Sequence, residues 1–231
     1  MKRIILVIGI VLLTACATGS ALKKSDSTLD TSKQSVLLLS VDLGRQSASR
    51  YIPRPQVMRF AYKDAQGKSA IKAIVIDKDA GNAESEVSNK FLLSAFLDPG
   101  KYKLESIIGR ANAFPFIGYF WLPVLQEIEV PENSVVYLGN INAKLRPRVG
   151  DEFRAGSVIP LVDQSATGIS GSTFDVEISD ASEKDIGEFK NNFPVLQHAE
   201  VTRQILSPFD RERVQSWWQT DGKSEENRSP E

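Results

Sequence analysis

Ser170 and His198 could together supply a nucleophile and its base. Ser170 sits in Gly168-Ile169-Ser170-Gly171-Ser172. A nucleophile elbow needs a glycine two residues to either side of the serine, on a strained turn between strand and helix. Here the second glycine arrives one residue early, and Ser165, Thr167 and Thr173 give the surroundings the composition of a loop. His198 is the sole histidine, and no neighbouring carboxylate is marked to orient it. A flexible connector is the preferred reading, with a hydrolase using Ser170 and His198 as the alternative. A carboxylate pair assembled by folding stays open, since two acids suffice for glycoside hydrolysis. Asp77, Asp79, Asn82, Glu84 and Glu86 crowd one loop, where oxygen ligands could hold calcium. The spacing is not that of an EF-hand loop: Gly81 stands at a ligand position and Asn82 at that of the turn glycine. A solvated acidic turn is expected. One histidine and one cysteine exclude cysteine-based structural zinc and most histidine-based metal sites. Neither metal nor cofactor is expected.

Aromatic residues offer a different chemistry, that of contact. Phe114, Phe116, Tyr119, Phe120 and Trp121 fall in one segment, Phe114 to Pro123, with prolines at 115 and 123. Its pattern does not alternate cleanly, and proline argues against a central strand. Such a segment can be a sugar or peptide platform or a protein contact, or its rings can close one end of a core. Trp217 and Trp218 are adjacent on an expected helix, so one packs inward while the other could reach a partner or a lipid interface. Arg45, Arg50 and Arg54 lack interspersed acids and could meet anionic headgroups. An edge charged against strand pairing is the plainer reading.

The N-terminus carries the most specific pattern. Met1-Lys2-Arg3 precedes an apolar run from Ile4 to Leu13, then Leu13-Thr14-Ala15-Cys16. The run is too short for a membrane span, which needs about 20 apolar residues, and reads as a secretory signal. The segment resembles a bacterial lipoprotein signal, whose lipobox ends in cysteine. The resemblance implies that residues 1–15 are removed and that Cys16 becomes the first mature residue, carrying acyl chains such as palmitate. It also implies the cell envelope and a membrane partner through that lipid. Ala17 in place of Asp implies the periplasmic side of the outer membrane in a Gram-negative cell. A lipidated Cys16 leaves the body without a thiol, which suits an oxidising compartment. Residues 16–34 are mostly Ser, Thr, Lys and Asp and read as a flexible tether with a reach of roughly 20–25 Å. Formal net charge is −1, and losing Lys2 and Arg3 with the signal lowers it by two more. Nucleic acid is not an implied partner; an envelope protein or a glycan is.

The elements that must hold these residues are mostly strands. Period-two alternation marks Leu37 to Leu43, with Leu38 on the polar side, and marks Met58 to Tyr62, Tyr102 to Ile108, Ile128 to Val130, Val135 to Leu145 and Phe174 to Ile178. Ile74 and Ile76 belong to another, and Phe91 to Leu97 is a continuous apolar run. About eight short strands with Gly, Pro, Asn and Asp between them argue for an antiparallel β-sandwich over residues 35–180. Asp98-Pro99-Gly100 reads as a hairpin turn joining the Phe91 and Tyr102 strands. The phrase Phe96 to Leu104 resembles the L-x-P-G-x-Y-x-L hairpin of transthyretin-like and carboxypeptidase-regulatory-like sandwiches, which implies the fold and no catalytic residue. A helical appendage is expected over residues 181–219. Ser182 and Asp185 resemble a capping box, Ile186, Phe189 and Phe193 line one face, and Asn192 with Pro194 ends the helix. Val201 and Ile205 lie one helical turn apart, and Ser207-Pro208 reads as a second helix start. Residues 220–231 contain no apolar side chain and read as a disordered tail. These readings converge on a lipid-anchored envelope protein acting as a non-catalytic binding or assembly module, with a hydrolase or a purely structural subunit as alternatives.

Overall fold

The computed structural model describes residues 18–44, 53–77, 81–84, 88–113, 116–156, 169 and 171–222. It is a β-sandwich with a helical C-terminal end. The strands are β1 (Thr18–Gly19), β2 (Ser35–Gly44), β3 (Arg54–Lys63), β4 (Ser69–Val75), β5 (Gly81–Glu84), β6 (Ser88–Leu97), β7 (Gly100–Ala113), β8 (Phe116–Val130), β9 (Val135–Pro147), β10 (Ser172–Ser179) and β11 (Val201–Arg203). The helices are α1 (Ser182–Asn192) and α2 (Arg211–Trp217), the latter continued by a wider turn to Gly222. Sheet A has the order β1-β4-β3-β7-β8, and sheet B the order β10-β9-β2-β6-β5. Most pairings are antiparallel; β2 with β9, β1 with β4 and β11 with β9 are parallel.

Alternation places one side of each sheet in a shared core. Leu37, Leu39, Val41 and Leu43 of β2 meet Met58, Phe60, Leu104, Ile107, Phe120 and Leu122 of sheet A. Leu38 does not face water. With Val36, Leu92 and Tyr137 it packs under Phe189 of α1 and Phe193 just past its end, in a second core on the other side of sheet B. The helical end expected at the C-terminus is thus present, and its α1 adds a third layer over sheet B.

Asp98-Pro99-Gly100 makes no hairpin. β6 pairs with β2 and β5 in sheet B, whereas β7 pairs with β3 and β8 in sheet A. The turn carries the chain from one sheet to the other, with Gly100 at φ +146°. Pro123 does lie in a strand: Phe116 to Val130 is continuous, and β8 is the edge of sheet A, where proline's missing N–H costs no ladder bond. The loop after β9 covers that edge, the Trp121 backbone N–H donating to the Ala155 carbonyl at 2.7 Å.

The expected tether over residues 16–34 is not free from Thr18 onward. β1 runs parallel to β4, with Thr18 opposite Ala73 and Gly19 opposite Ile74. Ser20 then accepts from the Phe96 N–H at 2.9 Å, and the Leu22 N–H donates to Ser94 Oγ at 2.8 Å. The Leu22 side chain is 1% exposed. One short stretch thus closes the adjoining edges of both sheets, and buried apolar contact outweighs its polar composition.

The C-terminal details differ as well. α1 is preceded by Ala181, and Asp180 Oδ1 accepts the Ser182 N–H at 2.9 Å. Asp185 is buried against the sheet and caps nothing. Val201 to Arg203 is strand, extending sheet B along β9. α2 starts at Arg211, with Asp210 accepting the Arg213 N–H at 2.9 Å, so Ser207-Pro208 precedes the helix without starting it. Helical structure continues to Gly222; the rest of the expected tail lies outside the described residues.

Candidate functional site

Sheet A turns its second face outward; side chains of α2 (Trp217 on Trp121, Arg213 on Glu127) cover its β8 margin, and the β3–β4 side stays open. Cross-strand register builds that face row by row. Val75 lies opposite Val57, Val57 opposite Ile108, and Ile108 opposite Trp121. An adjacent row joins Arg54, Arg110 and Tyr119. The described exposed large hydrophobics are Ile71 (42%), Val75 (58%), Ile117 (44%), Tyr119 (39%) and Val149. All but Val149 lie on this face, so apolar exposure is concentrated rather than scattered.

The expected aromatic platform divides by strand alternation. Phe120 points inward, buried edge-to-face against Phe174 with ring centroids 5.9 Å apart. Tyr119 and Trp121 point outward. The half-buried Trp121 ring meets Trp217 at 5.8 Å and lies under the Arg59 guanidinium at 5.3 Å, a cation–π geometry. Arg59 also pairs with Glu105 at 3.2 Å. Of the adjacent tryptophans, Trp218 packs into the core and Trp217 stays partly exposed at the β8 edge. Phe114 and the Phe116 side chain lie outside the described residues.

A buried polar cluster was not expected. Asp185 of α1, 1% exposed, accepts hydrogen bonds from Ser40, from Tyr137 Oη at 2.6 Å and from Lys90 Nζ at 2.5 Å. Glu188 pairs with the same ammonium at 2.7 Å. Asn140 Nδ2 donates to Ser40 Oγ at 2.9 Å and to Asp42 Oδ2 at 2.8 Å. A serine beside a lysine invites a nucleophile reading, and the geometry argues against it. Burial opposes the charge on Lys90, but the hydrogen bonds of Asp185 and Glu188 outweigh it and raise the lysine's pKa, so it holds its proton. Burial, then the bond to Asp185, raises the Tyr137 hydroxyl well above its ordinary value. Ser40 is wholly buried. The cluster latches α1 to sheet B and satisfies a carboxylate that would be costly unpaired. The sequence signal was Asp185 itself, an acid between Ser182 and Ile186 on the apolar side of the helix.

A second polar cluster ties α2 and the β9–β10 loop together. Arg146 forks onto Glu152 at 2.7 and 2.6 Å and reaches Asp175 at 2.9 Å. Arg211 reaches Glu152 at 2.7 Å and stacks over Phe153 at 5.0 Å. The Arg146 hydrogen bonds lead in holding the Glu152 carboxyl far below the usual carboxylate range.

The other sequence candidates do not converge. His198 is exposed beside β11, whose Val201 lies opposite Val135 at the start of β9. Gly171 adjoins Ser172, opposite Pro147 at the far end of β9. Along a strand that separation is roughly 35–40 Å at about 3.3 Å per residue. Ser170 itself lies outside the described residues, but its bonded neighbour Gly171 is far from the proposed base. Asp79 and Glu86 of the acidic loop also lie outside the described residues, as do the Asn82 and Glu84 side chains, Arg45, Arg50 and Cys16. No cluster of acidic, histidine or cysteine side chains fit for a metal occurs among the described residues. Comparison with protein-family models, curated proteins and solved structures finds no match to this chain.

Proposed function

We propose that this chain is a lipid-anchored cell-envelope protein, held by acyl chains on Cys16 and sorted to the outer membrane in a Gram-negative cell. It works as a non-catalytic binding module through the outer face of sheet A. The observation that supports this reading is the uncovered face itself. It gathers Tyr119, Ile117, Ile71 and Val75 in the open, and the Trp121–Trp217 pair at its margin. Sheet B solves the same problem internally by laying α1 over its outer side. An apolar sheet face left open in one layer and covered in the other fits a surface held for something outside the chain. The test places a photoreactive side chain at Tyr119 and, separately, at Glu183 on α1, in cells expressing the full chain. The reading expects adducts from position 119 and none from 183. Equal or absent labelling at both would overturn it.

A further inference from the structure

We infer that the outer face of sheet A lies on the membrane that holds the anchor, seated against an anionic lipid surface. The inference rests on the lipid at Cys16 proposed above. Only Ala17 stands between Cys16 and Thr18, and Thr18 is paired to β4 opposite Ala73. Consecutive Cα atoms are 3.8 Å apart, so Cys16 lies at most about 7–8 Å from Thr18. The acyl chains therefore leave the protein beside β4, the strand that exposes Ile71 and Val75. A body on so short a lead cannot stand off the bilayer; it rests on whichever surface borders the anchor.

The bordering surface has the composition of a membrane interface. From Val75 the apolar row crosses Val57 and Ile108 to Trp121, about 14 Å over three strand spacings. Contact at the anchored edge and at the aromatic edge lays the sheet flat. Trp and Tyr are enriched at headgroup depth. Arg110, opposite Tyr119, brings an exposed cation to the same end. At the other end of the face, Lys103 stands opposite Glu127 and Lys101 opposite Glu129, so charge there is matched. Basic residues near an anionic leaflet are attracted by about 1 kcal/mol each.

The test uses the lipidated full chain in vesicles of phosphatidylethanolamine with phosphatidylglycerol. Cys16 is the only cysteine and its thiol carries the lipid, so Val75→Cys, Tyr119→Cys and Glu183→Cys each take one spin label. Collision of the label with a water-soluble paramagnetic reagent is the readout. Labels at 75 and 119 should be shielded severalfold relative to 183. Arg110→Glu should reduce the shielding at 119, through a contact weakened about fivefold per charge removed, and more so at low salt. Equal access at all three positions, with the protein still vesicle-bound, would overturn the seating and leave the anchor standing. Shielding that appears only when an envelope protein or glycan is added would assign the face to that partner and overturn it too. A chain that carries no lipid and does not stay with vesicles would remove the anchor reading, and this inference with it.

Discussion

Leu22→Ala tests whether the segment after the lipid site is structure or slack. Leu22 is 1% exposed and packs in the core between sheet B and α1. Truncating a fully buried leucine removes its transfer energy and leaves a cavity, together about 2–5 kcal/mol. For a body of this size that corresponds to a fall in Tm of roughly 4–20 °C. Ser94→Ala makes an independent probe: it removes the oxygen that accepts the Leu22 N–H, leaving a buried donor unpaired at a cost of about 1–3 kcal/mol. Lys24→Ala, at an exposed position, should stay within about 0.5 kcal/mol of the parent. The assay is equilibrium urea unfolding followed by tryptophan fluorescence, with midpoints compared at constant m. A Leu22→Ala protein as stable as Lys24→Ala would refute the docked segment. It would restore a free tether and remove the short lead on which the membrane seating depends.

Other perturbations should separate the two polar clusters. Asp185→Ala leaves Lys90, Tyr137 and Ser40 without their shared acceptor and should cost about 3–5 kcal/mol by the same unfolding assay, with Asp185→Asn losing less. Glu152 has a depressed folded pKa, so its contribution is present above the ordinary carboxylate value and lost as pH falls. The stability gap between parent and Glu152→Gln should therefore narrow from pH 6 to pH 3; a constant gap would mean that the charge contributes nothing. Gly109→Ala should destabilise by about 1–3 kcal/mol or more, because a Cβ there would stand 2.1 Å from the Arg54 carbonyl and 2.5 Å from the Phe120 ring. A neutral effect in melting experiments would place the β3–β7 crossing wider than described.

The sandwich was legible because alternation is written locally. Met58, Phe60 and Tyr62, or Phe174, Val176 and Ile178, need only the period of two. Leu37-Leu38-Leu39 held a further signal: consecutive apolar residues mark a strand buried on both faces, which called for a layer over sheet B. Asp98-Pro99-Gly100 was legible as a reversal, but turn chemistry does not say which sheet the next strand joins. Leu22 was hidden because one buried leucine in a polar stretch makes no period. Asp185 looked like a capping residue because caps and buried acids share residue types, and only the partners Tyr137, Lys90 and Ser40 tell them apart. The pairing of Trp121 with Trp217 joins segments distant in sequence, so the candidate face became visible only through register.

A lipid at Cys16 would show itself in the mass of the mature protein taken from cell membranes. The expected mature chain begins at Cys16, its first peptide carries acyl chains, and membrane retention is lost in Cys16→Ser. A mature chain with an unmodified Cys16 thiol, or a Cys16→Ser protein that fractionates like the parent, would contradict it.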